Sequence, residues 1–244
     1  MIPRAIASLC YPPRAASPDQ ESSDDVAAFI ESRALEYPSQ LEDDFVSRAL
    51  KLGVESGTIL DVGTRVGLIA LKLLWQNENL ISIGLDRSGL MIEQARATAQ
   101  AWEIADRAVF QVGDPRHMRF KSGYFDMVVS DSSLHRFDDA SAVLREIGRV
   151  LKPRGALLIR DFRRPNRFRM TQHALEHAGR FGDAMRPQIE GAIRSSFTEA
   201  ELMQLTASEI PGVQVVETDP SYITIERRGE NDPNSWVVVR DQYR

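Results

Sequence analysis

Apolar residues first recur at helical spacing. Val26, Ala27, Phe29, Ile30 and Ala34 form one such set, and Leu41, Phe45, Val46, Ala49 and Leu50 a second. Pro38 is expected to separate the two helices. From Thr58 the rhythm changes, and short apolar runs alternate with helical stretches. The pattern predicts strands over Thr58–Val62, Leu80–Leu85, Ala108–Val112, Tyr124–Ser130 and Ala156–Arg160. Between them it predicts a nearly all-apolar helix over Val66–Trp75 and one capped by Ser88 that runs to about Trp102. A third, capped by Asp138, carries Val143, Ile147, Val150 and Leu151 on one face.

Lys152-Pro153-Arg154-Gly155 has the signature of a type I turn leading into the fifth strand. Residues 163–196 are polar and Arg-rich, partly helical and without a strand. Thr198 to Glu201 is a capping box that opens a helix to about Ser208. Val213–Glu217 and Tyr222–Glu226 are strands joined by four residues, a link short enough to require antiparallel pairing. Residues 229–235 read as a turn-rich linker, and Trp236–Val239 as one further edge strand. The expected fold is therefore α/β, a doubly wound, mostly parallel seven-stranded sheet with a terminal antiparallel hairpin. Ligands of such sheets lie beyond the carboxyl ends of the strands.

The 244 residues suffice for one α/β domain with its own core. The expected division is a mobile tail over 1–23, a helical cap over 24–54, the α/β domain over 55–228 with 163–196 inserted on the substrate side, and a tail or edge strand over 229–244. A net charge of -5 gives no reason to expect nucleic acid or an anionic membrane as partner. Cys10 is the only cysteine, which excludes intramolecular disulfides and fits a reducing, cytoplasmic setting. No apolar run approaches the ~18–20 residues that span a bilayer. The first eighteen residues carry Arg and Ser but no acid, and read as a Pro-rich tail. Residues 163–196 or the exposed terminal strand leave self-association open.

The densest chemistry lies in Ile59-Leu-Asp-Val-Gly-Thr-Arg-Val-Gly67, a strand that runs into a glycine-bearing turn and a helix. Gly63 allows the turn and a close backbone approach. Gly67 allows tight packing at the helix start, whose free N–H groups favour anions or polar ligand atoms. Asp61 ends the first strand, Asp86 the second and Asp114 the third, all on one edge of the sheet. One carboxylate suits a ribose diol and another an exocyclic amine. Each feature also has a plain structural reading: a ligand-free joint, a helix cap beside Ser88, and a Gly113-Asp114-Pro115 turn.

Together, ILDVGTRVG, IGLDRSGLMIEQA, VGDPRHMRF, FDMVVSDSSLHRFDD and LREIGRVLKPRGALLIRD resemble the class I S-adenosylmethionine-dependent methyltransferases of the small-molecule type. The resemblance covers about residues 58–162, and strand order agrees to about 227. It implies S-adenosylmethionine as cofactor, S-adenosylhomocysteine as product and a small-molecule methyl acceptor. By the same resemblance Asp61, Gly63, Thr64, Arg65 and Gly67 shape the methionine side of the pocket. Asp86, Arg87 and Met91 belong to the ribose and adenine, and Gly113, Asp114 and Pro115 to the adenine edge. Ser130 and Asp131 form the floor near the sulfonium.

Arg65 stands where the family keeps a second glycine. It can point to solvent, turn inward onto a carboxylate, or fill the site. His135, in the loop after the fourth strand, is the candidate general base, with a backbone-bonded loop histidine as the alternative. His173 and His177 form an i, i+4 pair for which a solvated helix face is favoured over a metal site, so no metal is expected. Arg160, Arg163, Arg164, Arg167 and Arg169 can read an anionic substrate or lie in solvent. Methyl transfer to an O, N or C nucleophile needs alignment and exclusion of water more than a dedicated triad. A repurposed scaffold closed by Arg65 and a nicotinamide-dependent oxidoreductase are the alternatives.

Overall fold

The computed structural model describes residues 11, 14–15, 22–33, 35–219 and 221–229; Cys10, most of the N-terminal tail and the strand expected over Trp236–Val239 lie outside them. In chain order the elements are α1 (Ser23–Ser32), α2 (Glu36–Leu50), β1 (Gly57–Val62), α3 (Leu68–Gln76), β2 (Leu80–Asp86), α4 (Gly89–Ala101), β3 (Ala108–Val112) and β4 (Phe125–Asp131). A 3-10 turn (Leu134–Arg136) follows, then α5 (Ala140–Val150), β5 (Leu151–Phe162), α6 (Met170–Gly179), α7 (Arg186–Ser195), α8 (Glu199–Glu209), β6 (Gln214–Asp219) and β7 (Tyr222–Arg227).

The seven strands form one sheet in the order β3-β2-β1-β4-β5-β7-β6. β1 to β5 run parallel, and β7 lies antiparallel between β5 and β6. The order reverses between β1 and β4, which opens a crevice at their carboxyl ends. Side chains alternate across the sheet as the pleat requires. Ile59, Met127, Val129, Ala156 and Leu158 pack in a core that α2, α3 and α4 cover. Leu60, Val62, Val128, Leu157 and Ile159 face the opposite core, beneath α5 and α8. Each Val, Leu, Ile or Met side chain among these contributes roughly 1.5–3 kcal/mol of burial. A third cluster joins α1, α6 and α7 through Phe29, Met170, Phe181 and Ile193 to Phe162 and Tyr222.

Three local expectations change. Pro38 does not separate the helices: it sits in the first turn of α2, where its missing N–H costs no helical bond; α1 is capped by Arg33 and α2 opens after Leu35. The cap of α5 is Asp139 rather than Asp138, its carboxylate accepting from Ala142 N at 2.9 Å. Residues 152–155 form no turn before β5 but a bulge within it, because pairing steps from Phe125↔Leu151 to Met127↔Ala156. Gly155 permits this: a Cβ there would lie 2.5 Å from Leu151 Cδ1 and 2.9 Å from Asp126 O.

The capping box at the start of α8 forms as expected, with Thr198 accepting from Glu201 N and Glu201 from Thr198 N. On α1, Val26 and Phe29 are buried while Ala27 and Ile30 are exposed, so only half of its apolar stripe meets the protein.

Candidate functional site

The first turn leaves β1 under tight backbone control. Gly63 N and Thr64 N both donate to Leu85 O, and Gly67 N closes the turn on Thr64 O at 2.8 Å. Gly63 has φ +73°, and a Cβ there would come 2.4 Å from Ser133 Cβ. Gly67, at φ +80°, would bring its Cβ 2.7 Å from Phe110 Cζ. Both positions therefore require glycine, for conformation and for space.

Two cavities open at this edge of the sheet, and Gly63 lines both. The larger, about 680 Å³, lies beyond β2 and β3 and is lined by Asp86, Arg87, Ser88, Pro115, Arg136 and Phe137 among others. The smaller, about 50 Å³, lies beyond β1, β4 and β5. Asp61, Arg65, Asp131 and Ser132 contribute to it from the sheet edge, Phe29 and Leu41 from α1 and α2, and Phe162 and Tyr222 from β5 and β7.

Asp86 ends β2 with its carboxylate fixed by backbone amides: Arg65 N donates to Oδ2 at 3.0 Å and Ser88 N to Oδ1 at 2.9 Å. The Arg87 guanidinium lies 5.5 Å from the Phe137 ring centre. Gly113 N bonds to Asp86 O, which ties the third loop to the second. The Asp114 carboxylate is gripped by Arg116 at 2.7–3.0 Å, which holds it below the usual carboxylate range. Pro115 and Arg116, not Asp114, reach the cavity wall. Met91 is fully buried in the third core cluster, and Ser130 bonds to Val62 O and Ser133; neither lines a cavity.

On the other side, Asp61 is buried and accepts from Thr64 Oγ1 at 2.7 Å. Burial, with Asp131 and Asp86 nearby, outweighs that bond and pushes Asp61 up to about 7. Arg160 holds both oxygens of Asp131 at 2.8 Å. Arg65 does not point to solvent. Its guanidinium lies 4.4 Å from the Phe29 ring centre, and Nη2 donates to Ser132 O at 3.3 Å.

His135 lines neither cavity. It is buried, its Nδ1 lies 2.6 Å from Asp161 Oδ1, and its ring packs edge-on against Phe162. His173 and His177 share one face of α6 with parallel rings, but His177 is buried and 3.2 Å from the Tyr222 hydroxyl, so that face is not solvated. Burial pushes His177 down to about 3. No cluster of three or more acidic, His or Cys side chains placed to hold a metal occurs among the described residues. Of the arginine group, Arg160 and Arg164 are buried in ion pairs while Arg167 and Arg169 are exposed.

Sequence reasoning missed Arg116, Ser133, Arg136 and Phe137 on the larger cavity, Phe29 and Tyr222 on the smaller, and Asp161 behind His135. Asp161 had a signal, since it ends the fifth strand as the other acids end theirs.

A family described as a methyltransferase domain matches residues 54–211. The chain belongs to that family. Its strand order is that of the class I, S-adenosylmethionine-dependent members. Over 146 residues the chain is 32% identical to a ubiquinone/menaquinone biosynthesis C-methyltransferase from Geotalea daltonii, covering 53% of this chain and 62% of that one. Over 104 residues it is 32% identical to the 27-O-demethylrifamycin SV methyltransferase of Amycolatopsis mediterranei, covering 43% and 38%. The matches thus span less than two thirds of either relative. A methyltransferase structure from Aquifex aeolicus shares the fold, with a TM-score of 0.59 at 19% identity over 80% of this chain and 95% of that one. No helix among the described residues is long and apolar enough to cross a membrane.

Proposed function

We propose that this methyltransferase moves a methyl group from S-adenosylmethionine to an O, N or C nucleophile of a small molecule. The observation that carries this reading is that Gly63 lines both the cavity beside Asp86 and the one beside Asp61 and Asp131. When bound, S-adenosylmethionine supplies an electrophilic methyl on a sulfonium. The residues present suit it. Asp86 keeps lone pairs for a ribose diol, and Arg87 and Pro115 line the same cavity, where they can flank a base. The Asp61 carboxylate favours a cationic ligand nearby.

In this reading residues 55–228 are the catalytic domain. α1 and α2 cap it, and residues 163–196 complete the acceptor side. The apolar lining from Phe29, Leu41, Phe162 and Tyr222 excludes water and aligns the acceptor. Asp161 on Nδ1 leaves His135 Nε2 as the proton-accepting end. For His135 to act as base on an acceptor, the Phe162 wall must shift.

A second reading, a scaffold without transfer activity, is favoured by the small volume beneath Arg65. The test incubates the protein with S-adenosylmethionine and either a demethylated precursor of ubiquinone or menaquinone or 27-O-demethylrifamycin SV, following the two relatives' names. Formation of S-adenosylhomocysteine that depends on an acceptor supports transfer. Binding of S-adenosylhomocysteine without turnover on any acceptor favours the scaffold.

A further inference from the structure

Three non-glycine residues among those described have left-handed backbone, and two of them meet in the smaller cavity: Arg65 (φ +50°) and Ser132 (φ +52°), joined by Arg65 Nη2 to Ser132 O. A side chain in this conformation costs about 1–2 kcal/mol that glycine would not incur. Such strain concentrates at ligand-binding positions. The Arg65 guanidinium lies over the Phe29 ring and bonds to Ser132 O, so it is presented between α1 and the loop after β4.

The other charges of the cavity are arranged around it. Arg33 bonds to Glu42 at 2.7 Å, and Arg160 holds Asp131 by both oxygens. Asp61 lies near the end of β1, four residues before Arg65 on the following turn. This strand–turn junction places a carboxylate and a guanidinium on one cavity, as the ammonium and carboxylate of an α-amino acid would require. Two parallel N–H donors match a carboxylate, and such charge-assisted bonds are stronger than bonds to a neutral carbonyl such as Ser132 O. A cation near a sulfonium is unfavourable in a low dielectric; Asp131 is paired with Arg160, so Asp61 is the carboxylate that offsets it.

We infer that Arg65 binds the α-carboxylate of the cofactor's methionyl end, opposite Asp61 at its α-ammonium. The inference rests on the cofactor reading above and assigns a ligand to the residue that replaces the family's glycine. Arg65 leaves Ser132 O to make this contact.

The test is calorimetric titration with S-adenosylhomocysteine and with 5′-methylthioadenosine, which keeps the nucleoside and thioether but lacks the amino-acid end. Wild type, Arg65→Gly and Arg65→Lys are compared. Glycine relieves the strained φ, so Arg65→Gly keeps its fold, and 5′-methylthioadenosine binding verifies this in the same experiment. The expected result is about 10- to 100-fold weaker S-adenosylhomocysteine binding by Arg65→Gly, with 5′-methylthioadenosine changed less than about twofold. Arg65→Lys recovers only part of the loss. Equal or tighter S-adenosylhomocysteine binding by Arg65→Gly overturns the inference, as does equal loss of both ligands. Wild-type protein that binds neither ligand overturns the cofactor reading itself.

Discussion

Asp161 joins two loops through His135. Its Oδ1 lies 2.6 Å from His135 Nδ1 and accepts from Phe162 N at 2.7 Å, while Oδ2 accepts from His135 N at 2.7 Å. One buried carboxylate thereby fixes the turn after β4 to the end of β5. Arg14 adds a brace from the other side, donating to the carbonyls of His135, Phe137 and Ser195.

Asp161→Ala leaves buried N–H groups of His135 and Phe162 without an acceptor. Urea unfolding should show a loss of about 2–4 kcal/mol. A loss below about 0.5 kcal/mol would mean the pair does not anchor the loop. His135→Gln separates anchoring from proton transfer. It should lower kcat on a hydroxyl acceptor by about 10²- to 10⁴-fold while cofactor-product affinity stays within about twofold.

If the ligand ammonium sits at Asp61, as proposed, cofactor binding should depend on pH. Burial pushes its carboxyl up to about 7, so near neutrality a fraction carries a proton that a ligand ammonium must displace. Affinity for S-adenosylhomocysteine should rise with pH through about 7 and level off above it. Asp61→Asn should flatten that profile. A profile that stays steep in Asp61→Asn assigns the titration to another group.

His177 acts on stability instead. Its folded value, pushed down to about 3, lies below the ordinary 6.5, so the unfolded chain binds the proton more tightly. Its contribution is fully present above pH 6.5 and is lost as pH falls from there toward the folded value. The stability gap between wild type and His177→Gln should narrow from pH 7 to pH 5. Asp61 works in the opposite sense: a raised carboxyl makes the folded protein less stable as pH rises from 3.8 to about 7. The difference between the two proteins, rather than the wild-type curve alone, is therefore the measurement.

The parallel sheet was legible because each strand is an apolar run bounded by turn residues, as at Leu80–Asp86 and Ala108–Val112. Its hairpin was legible from the four-residue link before Tyr222. The placement of acids at the sheet edge was legible where it follows chain order: Asp61 and Asp86, read near strand ends, each line a cavity there. The site was not legible where distant segments converge. Phe29 meets Arg65 only because α1 folds back over the first turn, and Tyr222 reaches the cavity only because β7 lies beside β5. Asp114 shows the converse limit: its position suits an adenine, yet Arg116, two residues later, already occupies its carboxylate. The bulge at 152–155 depends on room beside Asp126 that local turn chemistry does not encode.

The central claim is that the cavity beside Asp86 holds the nucleoside of S-adenosylmethionine. It is tested most directly by titrating S-adenosylhomocysteine into wild type and Asp86→Ala at pH 8, with unfolding monitored in parallel. The account predicts saturable one-to-one binding by wild type and a loss of about tenfold or more in a variant that remains folded. Equal affinity in the two proteins, or no binding by wild type, would contradict it.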